Sequence, residues 1–389
     1  MSGEFGGLRR ALAMIGAVVL LTLGTVVVAS PAKACACGGV VAAEGESIEV
    51  GHEAAAVAWD GQVEDIVLQM DMTASTDDAA VIIPTPADPE VQPADPDFFA
   101  DLREMAAPRQ DVNYTWWPTS QSEEQDAAGG AQAAHDLEGD ETDAGGRFSA
   151  GESVDLDNLQ TKVFAAADVD ELTEWLRDRH YVMSDAMASA MTPYVSEGWY
   201  FVAIHLRSGG DSLTGALQPI HLSFESNSLI YPMRMSTAAH TAQDVTTYVI
   251  ADSQVRRTDP TATSTAATLQ FAGPLETDLQ RSRTWGELAA AGDYLTVINQ
   301  HFANPSAQIL SDFTFAGSPG APDYQQVVQV TKLRQILGLP AGPVLVVLIL
   351  LLAAAPLGYT LLRRPSRRDG VLPVRQHRRS RGDAASVGH

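Results

Sequence analysis

The sequence predicts an α+β fold: a mainly antiparallel β-sheet outer domain with a few short helices, followed by one C-terminal transmembrane helix. Three observations predict it. Short runs of β-branched, aromatic and alternating residues recur between turn signals along most of the chain. Helical spacing is confined to a few short segments. Residues 336–362 then form an uncharged apolar stretch longer than the roughly 20 residues a bilayer requires.

The elements follow in order. Residues 53–59 (EAAAVAW) and 63–73 (VEDIVLQMDMT) flank Asp60-Gly61, a two-residue hairpin signal. A third strand at 79–84 (AAVIIP) continues them as a meander, ended by Pro84 and Pro86. Residues 97–105 (DFFADLREM) have helical spacing. From 119 to 151 the composition turns to Gly, Ala, Ser, Gln, Asp and Glu, which predicts a disordered acidic insertion or linker. Strand character resumes at 154–165. Asp168 stands as N-cap to a helix over 169–179, with Asp170 and Glu171 favourably placed in its first turn. Strands are predicted at 198–207 (GWYFVAIHLR), 216–224, 228–235 and 246–255, a short helix at 285–291, and strands at 293–298 and 312–316. Residues 317–323 read as a stalk-like Pro/Gly turn before the membrane approach.

The two ends set the expected topology. Arg9-Arg10, the uncharged stretch 11–30 and Ala32-Lys33-Ala34 supply the n-region, h-region and small-residue cleavage site of a signal peptide over 1–34. An uncleaved N-terminal anchor is the other reading, and the residues beside Arg9-Arg10 fit a twin-arginine signal poorly. At the other end, 344–355 read VLVVLILLLAAA, with Pro340 and Pro343 at the start and Pro356 within. Eight arginines follow in 363–389, and positive charge beside a span stays cytoplasmic. The expected organisation is therefore signal peptide 1–34, outer domain 35–335, transmembrane helix 336–362 and basic cytoplasmic tail 363–389. This places the chain in the cell membrane, single-pass, with the domain outside.

The formal charge of the 389-residue chain is −24, and both ends are net positive. The segment between is therefore more acidic than the whole. Such a surface repels nucleic acid and leaves the domain soluble, so nucleic-acid binding by the outer domain is excluded.

The residues CACGGVV, AVAWDGQVEDIVLQM, VIIPTPADPEV, LTEWLRDRHY, YVSEGWYFVAIHL and LIYPMRMS, in that order, resemble the bacterial proteins grouped as domain of unknown function 2330. The resemblance runs from residue 35 to about 315 and bridges the acidic stretch, which favours one domain with an insertion over two. It implies an exported or membrane-anchored bacterial protein without an assigned activity, and it carries over no catalytic residue.

Candidate chemistry is sparse. Cys35 and Cys37 are the chain's two cysteines. In an exported protein they can close a disulfide or act as a tether, and a ring this small is strained and easily reduced. They can also form a redox pair or a copper(I) clamp, and Cys35 can carry a lipid. Met70/Met72 and Met233/Met235 form two M-x-M pairs which, on strands, place both sulfurs on one side; core packing produces the same pattern. His52, His205, His221 and His301 show no ligand spacing. Gly210-Asp211-Ser212-Leu213 spells a serine-esterase motif, but none of the nine histidines has an aspartate three residues before it, so a hairpin loop is the better reading. The run Asp136, Glu138, Asp140, Glu141 and Asp143 lacks the geometry of an EF-hand loop.

No catalytic set, metal site or cofactor motif is assembled by these residues. The reading is a membrane-anchored, non-enzymatic module that binds an envelope protein or polymer. Metal or thiol-redox handling through Cys35 and Cys37 is the alternative, and a serine hydrolase is a distant third.

Overall fold

The computed structural model describes residues 38–118, 160–208, 212–276 and 283–362. The signal-peptide segment, the whole 119–151 insertion and the arginine tail lie outside them. The described residues fall into two compact units: 38–111, 160–208, 212–276 and 283–329 in one, 112–118 and 330–362 in the other.

The first unit is built on two sheets. The larger joins β2 (Ile48–Trp59), β3 (Val63–Ala74), β5 (Glu90–Pro93), β9 (Gly215–Ala216), β10 (Ile220–Glu225), β12 (Gln243–Ala251), β14 (Ala267–Pro274), β15 (Tyr294–Phe302) and β17 (Tyr324–Gln325). The smaller has the order β1-β4-β8-β7, from β1 (Gly39–Val41), β4 (Asp78–Thr85), β8 (Tyr200–Arg207) and β7 (Gln160–Ala165). A short third sheet joins β11 (Ile230–Tyr231), β16 (Phe313–Gly317) and β13 (Val255–Arg257). Pairing is mainly antiparallel, with β2 and β12 side by side in parallel.

Side-chain alternation explains the layering. Along β2, Ala55 and Val57 point to one face and Ala54, Ala56 and Ala58 to the other, and all are buried. A strand buried on both faces reads as a continuous apolar run, which is what AAAVA is. The first face meets the smaller sheet: Ile66, Leu68, Met70 and Met72 of β3 pack with Val81 and Ile83 of β4 and with Val202 and Ile204 of β8. The second face is covered by helices α1 (Phe98–Met105) and α5 (Thr284–Leu288), which contribute Phe98, Phe99, Leu102 and Trp285. The outer face of the smaller sheet carries Ile82, Phe201 and Ala203. It is covered by α2 (Val169–Asp178) and α3 (Asp185–Glu197), through Leu172, Leu176, Met187, Met191 and Tyr194. The result is four layers: helices, sheet, sheet, helices. Two single-turn helices, α4 (Thr261–Ser264) and α6 (Pro305–Gln308), complete the unit.

The predicted α+β, mainly antiparallel class stands, with corrections inside it. The expected meander breaks after two strands. β2 and β3 form the hairpin, with Gly61 at φ +100 in the turn and the Asp60 carboxylate accepting from the amides of Gln62 and Val63 at 2.8 Å. β4 then crosses to the other sheet. Pro84 lies inside β4, opposite Phe201, and does not end it. β1 pairs no further along β4 than Ile82, and an unpaired edge tolerates proline. The expected strand 228–235 shrinks to β11, because Pro232 ends it and a 3-10 turn, Arg234–Ala238, follows. The expected stalk at 317–323 is a surface loop. The chain returns afterwards to pair Tyr324 and Gln325 with Ala272 and Phe271.

The second unit takes the far ends of β6 (Arg109–Thr115) and β18 (Val327–Leu333). It adds the hairpin of β19 (Gln335–Ile336) and β20 (Leu339–Pro340), then helix α7 (Ala341–Leu362). The expected helix start at 336 is thus moved to 341, since Leu337 (φ +55) and Gly338 (φ +78) make a tight turn. The helix is 22 residues long, and its side chains are described as far as Pro356. Among the described residues no helix is long and apolar enough to cross a membrane.

Candidate functional site

Most residues singled out in the sequence do not converge. Cys35, Cys37, the acidic run 136–143, Gly210 and Asp211 lie outside the described residues. Ser212 is exposed and its hydroxyl donates to Thr214 Oγ1 at 3.2 Å, while Leu213 is buried in the core between the sheets. Met70 and Met72 lie in that same core. Met233 and Met235 do not share a face as a strand would require. Met233 packs between the sheets, whereas Met235 packs beneath α2 and α3, because the 3-10 turn replaces the strand.

The histidines are distributed over several polar clusters. Asp244 of β12 lies in register between His52 of β2 and His301 of β15, and its Oδ1 is 2.7 Å from His301 Nδ1. His52 is buried, and burial lowers its pKa to about 4 despite the nearby Asp244 charge. His221 is buried with Nε2 2.8 Å from Asp65 Oδ1, and Nδ1 faces Gln92 Nε2 at 2.9 Å and Glu287 Oε2 at 3.0 Å. His205 Nε2 is 3.0 Å from Asp78 Oδ1, which also accepts from Tyr181 Oη; Arg207 closes on Asp78 Oδ2 at 2.6 Å. Burial raises the Asp78 pKa, but these three donors outweigh it and the net direction is down. Among the described residues no group of three or more His, Cys, Asp or Glu side chains is placed to hold a metal ion.

The most extensively bonded cluster joins three elements that are distant in sequence. Asp312 Oδ1 accepts from Tyr194 Oη at 2.5 Å, from Met233 N at 2.7 Å and from Arg234 N at 3.0 Å. Its Oδ2 accepts from Arg234 Nε at 2.7 Å, and the guanidinium also forms a fork onto Glu197 at 2.6 Å. Arg234 lies over the Tyr194 ring at 4.2 Å and the Trp199 ring at 5.7 Å. Both carboxylate oxygens of Asp312 are engaged, and the bonds clamp α3 and the 3-10 turn to the strand at Phe313. Tyr194, Glu197 and Trp199 come from YVSEGWYF and Arg234 from LIYPMRMS, so two of the quoted family motifs meet here.

Two carboxyl groups are buried in the core between the sheets. Glu53 accepts from Tyr231 Oη. Glu64 accepts from Ile230 N at 2.7 Å through Oε1, while Oε2 has no partner. Burial raises the Glu64 pKa to about 8, so it is a neutral acid at pH 7.

The second unit carries a different kind of surface. Tyr114, Trp116 and Trp117 are exposed, and the Arg334 guanidinium lies 5.4 Å from the Tyr114 ring and 5.2 Å from the Trp116 ring. The first amides of α7 are bonded here: Ala341 N to Arg334 O and Gly342 N to Trp116 O, both at 2.8 Å. Sequence reasoning passed over these residues. The available signal was one Tyr and two Trp within four positions, in a chain with six Trp.

A four-layer β-rich sandwich with clamped helices is what the geometry of the described residues defines. The chain belongs to the family described as uncharacterized protein conserved in bacteria (DUF2330), whose model matches residues 31–316. That range takes in the smaller sheet, all of the larger sheet except β17, and the clamp. A search of curated proteins finds no match. Among solved structures the chain is similar to baculovirus P35, at 10% identity over 69% of this chain and 94% of that one. The TM-score there is 0.32, too low to carry any argument.

Proposed function

We propose that the chain is an exported, membrane-anchored module whose outer domain binds an envelope protein or polymer without catalysing a reaction. Residues 1–34 serve as the signal peptide, α7 as the single span, and 363–389 as a cytoplasmic tail. The observation that carries the reading is α7 with its flank: an uncharged apolar helix whose leucines and valines from 346 to 352 are exposed, followed in sequence by eight arginines. Exposed apolar helix faces of this size mark contact with lipid or protein. The binding role is supported by the size of the outer domain, whose sandwich takes in most of the described residues.

A membrane-impermeant cross-linker applied to intact cells tests it. The expected result is capture of the domain with an envelope protein or polymer. Absence of any adduct, together with turnover of an ester or peptide by the purified chain that one point substitution abolishes, would overturn the binding reading. The metal or thiol alternative rests on Cys35 and Cys37 alone, since both M-x-M pairs are buried in apolar cores.

A further inference from the structure

We infer that Tyr114, Trp116, Trp117, Leu337 and Leu339 form a collar that sits in the headgroup region of the outer leaflet. There it fixes where and how α7 meets the bilayer. The inference deepens the anchored reading and rests on it.

Four observations carry it. First, the side chains are large, apolar and uncovered: Tyr114 is 57% exposed, Trp116 45%, Trp117 55%, Leu337 99% and Leu339 59%. Such a concentration is costly in water. Second, the residue types suit an interface. Tyr and Trp present an apolar body with one polar atom and concentrate at the headgroup level of spanning proteins. Arg334, lying between Tyr114 and Trp116, adds a cation that can reach phosphate oxygens.

Third, the collar is joined directly to the helix. A helix leaves its first amides unpaired. Here Ala341 N and Gly342 N are bonded to Arg334 O and Trp116 O, and Pro343 has no amide to satisfy. Fourth, the join is close. A Cβ on residue 342 would lie 2.5 Å from Trp116 O and 2.9 Å from Trp117 Cδ2, so only glycine lets the ring strand and the helix approach this far. The turn at Leu337-Gly338 then presents its apolar tip beside the same helix start.

The experiment is tryptophan quenching by brominated lipid. The full-length chain is reconstituted in phosphatidylcholine–phosphatidylglycerol vesicles carrying bromine either high on the acyl chain or near the bilayer centre. It is compared with the Trp116→Phe/Trp117→Phe double variant. Shallow bromines are expected to quench a component of the emission that is absent from the double variant, with deep bromines quenching it less. A chain that floats with the vesicles but whose Trp116/Trp117 emission is untouched at either depth would overturn the collar and leave the span standing. A chain that does not float with the vesicles would overturn the span, and the collar with it. As a second readout, Gly342→Leu in the floating chain is expected to shift the emission of Trp116 and Trp117. An unchanged spectrum would contradict the close join.

Discussion

Single residues in the core set a pH dependence. Glu64 has its pKa raised from 4.5 to about 8, so the folded state holds a proton that the unfolded chain releases above pH 4.5. Its stabilising contribution is complete below pH 4.5 and is lost as pH rises through about 8. His52 acts at the other end: its folded pKa is lowered from 6.5 to about 4, so its contribution is complete above pH 6.5 and is lost as pH falls through about 4. Chemical denaturation of the Glu64→Gln variant is expected to lack the loss of stability that the wild type shows between pH 5 and 8. Parallel curves for the two proteins would mean that Glu64 ionises normally. Neither role was legible in the sequence, where Glu64 is one acid among 49 acidic residues. The alternation of VEDIVLQMDMT does place Glu64 on the same face as Ile66, Leu68, Met70 and Met72. That the face is wholly dry follows only from the second sheet packed over it.

At the scale of elements, the long strands were readable and their partners were not. The hairpin of β2 and β3 follows from Asp60-Gly61 and two apolar runs. The departure of β4 to another sheet has no local signal, because a sandwich crossover and a meander use the same turn residues. Helix α3 escaped the reading because Ala, Ser, Thr and Pro193 blur its spacing; its apolar face, Met187, Met191 and Tyr194, is legible once the sheet beneath it is known. The clamp holding α3 down is likewise assembled from segments over 30 residues apart. Replacing Arg234 with Met leaves the buried Asp312 without its counter-charge. That loss is expected to cost about 3–5 kcal/mol, as for one partner of a buried ion pair. Thermal unfolding should show it, and Asp312→Asn in the same background should restore part of the loss. A change below about 1 kcal/mol in R234M would mean that the layers hold without the clamp.

At the scale of the whole molecule, a well-packed sandwich forms one unit, and an apolar helix with the segment bearing Trp116 and Trp117 forms the other. The apolar stretch at 336–362 and its arginine flank were the clearest features of the sequence, since charge-free length needs no tertiary context. The aromatic ribbon was overlooked, because Tyr114, Trp116 and Trp117 occupy a short segment just before the acidic stretch and resemble a strand end. The measurement that tests the central claim most directly is protease added to intact spheroplasts, with antibodies against the sandwich and against the tail 363–389. The account predicts that the sandwich is degraded while the tail stays protected until the membrane is breached. Protection of both segments, or digestion of the tail with the membrane intact, would contradict an outward domain on a single span.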